Sequence, residues 1–216
     1  MRIGSIAGSP IHVQAPFLIL VGLFVLLDLE RGDPFHQAVL WLPILLLSVL
    51  AHEIGHALTI RGLGFGPSVI LLTGFGGLTV NQRKAKPWQD ALVAVAGPLT
   101  SFFLAILIAV VLAGVPFLRS DPMFSRLLPM MQWANVVWGI FNLVPIYPLD
   151  GGHALHDLSR YAVSPRTSVL LSAWSSMAIA ALVLVAAIYL RQLFVVLIAA
   201  LLIFQNYQRW KSYRED

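Results

Sequence analysis

His52, Glu53 and His56 form an H-E-x-x-H pattern inside the apolar run from Leu45 to Leu58. Four residues apart on a helix, the two imidazoles stack on one face. At that spacing they can grip a single metal ion, with Glu53 beside the water the metal would carry. The flanks sharpen the reading. An ionisable side chain at bilayer depth costs about 2.5–3.5 kcal/mol on insertion scales, so such residues are rare there and usually functional. A pair of satisfied core histidines with a stray acid is the bland alternative, and both the pattern and its setting disfavour it.

Catalytic zinc keeps three protein ligands and one open position. The chain has no cysteine, so thiolate zinc and a cysteine nucleophile are excluded, and the ligands must be His, Asp or Glu. Asp150, His153 and His156 are the candidates for the third. Asp150 leads, because Pro145, Pro148, Gly151 and Gly152 bracket it in an apolar stretch and read as a helix interrupted to present an acid. An ordinary Asp-Gly turn in water is the competing reading. His153 would then support a ligand or pack a turn, and His156 would be structural. His12 and His36 fall outside the apolar core. The chemistry such a site supports is peptide hydrolysis. Zinc lowers the pKa of its water towards 7 and polarises a carbonyl. Glu53 takes the proton and passes it to the leaving amine. Asn142 is the candidate hydrogen-bond donor to the oxyanion, with Asn135 the weaker one.

The elements that must hold these residues are apolar. Of 216 residues, 58% are hydrophobic and 11% charged, and the mean hydropathy is +0.82. A soluble domain carries about 25% charged residues, so this composition indicates a polytopic membrane protein. The net charge of +4 fits loop cations facing anionic lipid, and nucleic acid is not expected as a partner. Six spans are expected: near 11–29, 39–60, 88–115, from about 127 into the Asn142–His153 segment, 168–190 and 192–208. The first reads as a retained span, since no small-x-small cleavage site follows it. Pro98 lies inside the third and should kink it or free a carbonyl. The last two are uniformly apolar and read as packing helices. Between spans two and three, 68–80 holds two short apolar runs around Gly74-Phe75-Gly76, the pattern of a β-hairpin. It is too apolar for a solvated loop, so it either lines a cavity at membrane depth, where it could pair an extended substrate, or is a plain connector.

Lysine and arginine place the sides. One side receives Arg2, Arg61, Arg83, Lys84, Lys86, Arg160, Arg166, Arg209, Lys211 and Arg214; the other receives Arg31, Arg119, Arg126 and Arg191. Under the positive-inside rule both termini are cytoplasmic. His52 then lies about 14 Å from the cytoplasmic end of its helix, and Asp150 about 15 Å from Arg160, similar depths as a shared site requires.

With these residues in view, the chain resembles the site-2 protease family of intramembrane zinc metalloproteases. His52-Glu53-Ile54-Gly55-His56-Ala57, Gly76-Gly77-Leu78, Ala96-Gly97-Pro98-Leu99 and the run Asn142 to Gly152, an N-x-x-P-x-x-P-L-D-G motif, carry the resemblance in the family's order. It covers roughly residues 45–155. It implies a three-helix catalytic core from spans two to four, one zinc on His52, His56 and Asp150, Glu53 as base, and Asn142 in substrate or oxyanion binding. It also implies membrane-spanning protein substrates. Ser101 departs from the asparagine that many members carry three residues after the Gly-Pro proline. The expectation is therefore an all-α polytopic protein of the cell membrane with about six transmembrane helices and a short membrane-associated β-hairpin. It forms one membrane-embedded domain over 1–216, with its catalytic core at about 39–160 and no PDZ- or CBS-like domain. Regulation, if any, would lie in membrane partners or in prior trimming of the substrate. The competing functions are a metal-ion transporter, against which Glu53 suits a base better than a ligand and the spans lack a second polar pathway, and a non-proteolytic scaffold for membrane helices. Six histidines are too few for a His-rich di-iron oxidase.

Overall fold

The computed structural model describes residues 1–74, 76–82 and 84–215. In chain order the elements are β1 (Arg2–Ile6), β2 (Ser9–Val13), α1 (Ala15–Glu30), α2 (Phe35–Ala38), α3 (Trp41–Gly62), β3 (Val69–Thr73) and β4 (Gly76–Val80). They continue with α4 (Pro87–Gly114), α5 (Phe117–Ser120), α6 (Phe124–Leu143), α7 (Asp150–Ser159), α8 (Pro165–Tyr189) and α9 (Leu193–Glu215). Two compact units divide them. The first comprises Met1–Lys84 and Ala96–Ile140, the second Ala85–Val95 and Phe141–Asp216.

In the first unit α3 is central. Trp41, Ile44, Leu45, Ser48, Val49, His52, Glu53, His56, Ala57 and Ile60 are all buried. Their three- and four-residue steps trace one helical face. The apolar half of that stripe packs with Phe17 and Val21 of α1, Ile11 of β2 and Ile70 and Leu72 of β3. Asp28, at the end of α1, is buried and accepts a 2.7 Å hydrogen bond from Trp41 Nε1, which ties α1 to the start of α3. Asn135 of α6 donates to Ser48 Oγ at 2.8 Å, one turn before His52.

The sheet is larger than the expected hairpin. β3 and β4 pair antiparallel, Val69 opposite Val80 and Thr73 opposite Gly76, as the pattern at 68–80 indicates; Phe75 of the turn lies outside the described residues. β2 adds in parallel to β3, with Ile11 opposite Ile70, and β1 adds antiparallel to β2. The order is β1-β2-β3-β4. The first expected span is accordingly shortened. Residues 9–13 are strand, and α1 starts only at Ala15; its 16 residues span about 24 Å. Three helical stretches among the described residues are long and apolar enough to cross a membrane: Phe35–Gly62, Pro87–Gly114 and Pro165–Tyr189. They correspond to the second, third and fifth expected spans. Pro98 lies inside α4, which runs through it.

In the second unit α8 and α9 pack along each other, and Ile146 is buried with Ala180 of α8 and Leu202 of α9. The chain from Val144 to Leu149 leaves α6 and re-enters helix at Asp150, with Leu149 extended at the cap.

Candidate metal centre

His52, Glu53 and His56 reach their positions on the buried stripe of α3, where they are 2%, 3% and 6% exposed. The imidazole centroids are 4.9 Å apart with the rings at 75°. One ligand atom from each of the three residues lies within 4.8 Å of the others. Taking three ionisable groups out of solvent is costly unless a partner compensates them, and a metal cation is such a partner.

Helix α4 shapes the space in front of these nitrogens. A Cβ built on Gly97 would overlap Nε2 of both His52 and His56. The bare backbone therefore leaves open the volume onto which both Nε2 atoms converge. One turn along the same helix, Ser101 is fully buried and its Oγ lies 3.0 Å from His52 Nδ1. With the Nδ1 hydrogen donated to Ser101, Nε2 carries the lone pair that a metal requires. Gly55, between the histidines, faces Thr100 Oγ1 and the Ala96 carbonyl, so a side chain there would push α3 off α4. The donor set and the cleared volume fit a zinc ion.

Strand β4 covers Glu53. The Thr79 hydroxyl donates to Glu53 Oε2 at 2.7 Å. Gly77 lies so close that its Cβ would strike the Glu53 carboxyl group. A fixed hydrogen bond on one carboxylate oxygen restricts the side chain to one orientation.

The second unit holds the other expected residues. Asn142 is in the last turn of α6 and half-buried. Asp150 is the first residue of α7 and also half-buried. The two glycines after it permit close packing: a Cβ on Gly151 would meet the Leu143 carbonyl, and one on Gly152 the Tyr147 amide. Helices α8 and α9 hold the preceding segment. Ser176 Oγ accepts from the Tyr147 amide at 2.8 Å, Asn206 Nδ2 donates to the Tyr147 carbonyl at 2.6 Å, and the Arg209 guanidinium lies 3.7 Å from the Tyr147 ring centre. The His153 ring packs on Tyr147 at 4.5 Å between centroids. His156 Nδ1 pairs with Ser168 Oγ at 2.9 Å. Asn135, the weaker oxyanion candidate, belongs to the first unit and is engaged with Ser48 and the Met131 carbonyl. His36 is exposed, and His12 lies half-buried on β2.

Sequence reasoning overlooked Thr79 and the Ser176–Asn206 clamp, and it noted Ser101 as a departure from the family pattern whose role stayed open. Gly77 and Gly97 stood inside quoted motifs, but their contacts with the ionisable side chains depend on elements far apart in the chain. The one available signal for Asn206 was its place beside Gln205, where the apolar first half of α9 gives way to polar residues.

The sequence matches the profile of peptidase family M50 over residues 41–120 and 119–186. A Synechocystis sp. protein whose name assigns it to the zinc metalloproteases is 33% identical over 168 residues, 73% of this chain and 44% of that protein. The zinc metalloprotease MJ0392 of Methanocaldococcus jannaschii is 28% identical over 83% of this chain and 52% of its own length. The chain thus spans about half the length of these relatives. The solved structure of a site-2 protease from Methanocaldococcus jannaschii has the same fold, with a TM-score of 0.73 over 97% of this chain and 94% of the other, at 24% identity.

Proposed function

The chain belongs to peptidase family M50, and from that premise we propose that it is an intramembrane zinc metalloprotease that cleaves within or near membrane-spanning segments of other proteins. The observation that carries the proposal is the buried His52-Glu53-His56 set with the Gly97-shaped space before both Nε2 atoms. His52 and His56 hold the zinc from α3, and Asp150 is the third ligand. Zinc supplies Lewis acidity at the scissile carbonyl and activates water near neutral pH. Ser101 fixes the ring and tautomer of His52. Glu53, oriented by Thr79, takes the proton of the attacking water and delivers it to the leaving nitrogen. Asn142 donates a hydrogen bond to the developing oxyanion.

A helical substrate hides its carbonyls in backbone hydrogen bonds and must be unwound before attack. β4 ends the sheet order and exposes Leu78 and Val80, which supports docking of an extended substrate segment along its edge. The whole chain acts as one membrane-embedded domain with its catalytic core at about 39–160, six spans and cytoplasmic termini. The three apolar helices support the membrane-embedded character, and the ten-to-four split of lysine and arginine supports the cytoplasmic termini.

The test is cleavage of a membrane-spanning substrate by protein reconstituted in liposomes, with metal content measured on the same samples. The wild type should cleave and carry one zinc per chain. Asp150→Ala should lose most of its zinc. Full zinc in that variant would move the third ligand to His153 or another group, and zinc-dependent ion flux without cleavage would favour a transporter.

A further inference from the structure

In the second unit, where α7 passes into α8, a cavity of about 440 Å³ is lined by His156, Arg160, Pro165, Arg166, Val169 and Tyr213. Its volume is in the range of small-ligand pockets. Arg166 is exposed, and its guanidinium reaches the Arg214 carbonyl at 3.4 Å. Arg160 faces Asp157 at 3.7 Å and Asp90 at 3.9 Å, both beyond ordinary hydrogen-bond length. Behind the cavity, Arg209 is fixed against Tyr147 and Ser172. Among the described residues, Arg160 has Asp90 and Asp157 as acidic neighbours, and Asp157 also acts on Arg209. Pro165 and Arg166 are also the first residues of α8, so the positive end of that helix dipole lies at the rim. These features converge on one preference, an oxyanion that can accept several N–H donors at once.

The surroundings say where that anion comes from. α8 is one of the helices long and apolar enough to cross a membrane, and its first residue is Pro165. The cavity therefore lies where hydrocarbon gives way to water. Leu171 and Trp174 follow along α8 with more than half their surface exposed, and Trp174 pairs edge-on with Trp210 of α9. An acyl chain hanging from the cavity would find apolar surface beside it. Basic pockets of this kind, between apolar helices at a membrane boundary, suit phosphate headgroups.

We propose that this cavity binds the phosphate of an anionic bilayer lipid, held by Arg160 and Arg166 with the Tyr213 hydroxyl as a further donor. The state of His156 agrees with a positive local field. Burial first, and then Arg209 and Arg160, hold its pKa below the ordinary histidine value, against the opposing effects of Ser168 and Asp90. Its imidazole is therefore a neutral wall of the site near pH 7.

The full chain, purified and exchanged into micelles, would be titrated with phosphatidylglycerol or phosphatidylcholine and read by native mass spectrometry. The wild type should retain one phosphatidylglycerol per chain at concentrations where phosphatidylcholine is lost. Arg166→Gln should weaken that retention about fivefold, and Arg160→Gln with Arg166→Gln should compound the loss. Arg166 is exposed, so the single variant should keep its thermal stability and zinc content, and it decides the matter if the double variant fails to fold. Equal retention of the two lipids, or unchanged retention by Arg166→Gln, overturns the proposal. Inorganic phosphate forms the second arm. If millimolar phosphate displaces phosphatidylglycerol completely, the site takes soluble phosphate and the lipid assignment falls.

Discussion

Three side chains on α3 perform the proposed chemistry, but their behaviour depends on neighbours that have none of their own. Gly97 is the clearest case. Gly97→Ala adds one methyl group where both Nε2 atoms converge, so zinc content should fall sharply while the helices persist by circular dichroism. Ser101→Ala removes the partner of His52 Nδ1. Loss of such a supporting hydrogen bond typically lowers metal affinity about 10–100-fold, which competition against a zinc chelator would measure. Glu53→Gln should have the opposite profile. Gln is close in size and the ligands are untouched, so zinc stays, while turnover should fall by about 10²–10⁴. The loss should lie near the upper end, because the bilayer offers no bulk water as a substitute base. Near-normal turnover by a zinc-loaded Glu53→Gln would remove Glu53 from the mechanism.

At the scale of elements, an irregular segment is held by side chains of two long helices. The chain from Val144 to Leu149 has its Tyr147 backbone clamped by Ser176 and Asn206, one from each of the long helices α8 and α9. These helices therefore do more than fill space, as their apolar sequences suggest; within the second unit they fix the approach to Asp150. Asn206→Leu removes this donor from the part-buried Tyr147 carbonyl, at a cost of about 0.5–1.5 kcal/mol, and thermal unfolding of the purified variant should register it. α7 also carries a pH response. The depressed pKa of His156 means that the unfolded chain binds a proton more readily than the folded one below the ordinary value of 6.5. Its contribution to stability is present above that pH and is lost as the pH falls towards the folded value. His156→Gln should flatten that part of the stability curve, which denaturation series at pH 5 and pH 8 would compare.

For the whole molecule, the open matter is how the chain threads the bilayer. Under the positive-inside rule, the ten-to-four split of lysine and arginine predicts that both termini and the segment after β4 face the cytoplasm; Arg83, one of those ten, lies outside the described residues. Cysteine introduced at Ser212 or Lys84 should react with a membrane-impermeant reagent only after the cells are opened. The chain has no native cysteine, so the background is clean. Labelling of both positions from outside intact cells would invert the topology.

The sequence alone was enough to single out the His52-Glu53-His56 group as a candidate metal site and to give the apolar class of the chain. These depend on spacing within one helix and on composition, both local properties. The hairpin at 68–80 was legible for the same reason, as two β-prone runs around a glycine turn. The parallel pairing of Ile11 with Ile70 was not, because strands of five residues carry little signal and their register is set by burial against α1 and α3. That pairing shortened the first expected span. Ser101 and Thr79 were hidden in the same way. A serine one turn past Gly97 or a threonine in a short strand means little until α4 and β4 are packed against α3. Their hydrogen bonds to His52 and Glu53 follow from tertiary packing, which alone fixes the distance between residues so far apart in the chain.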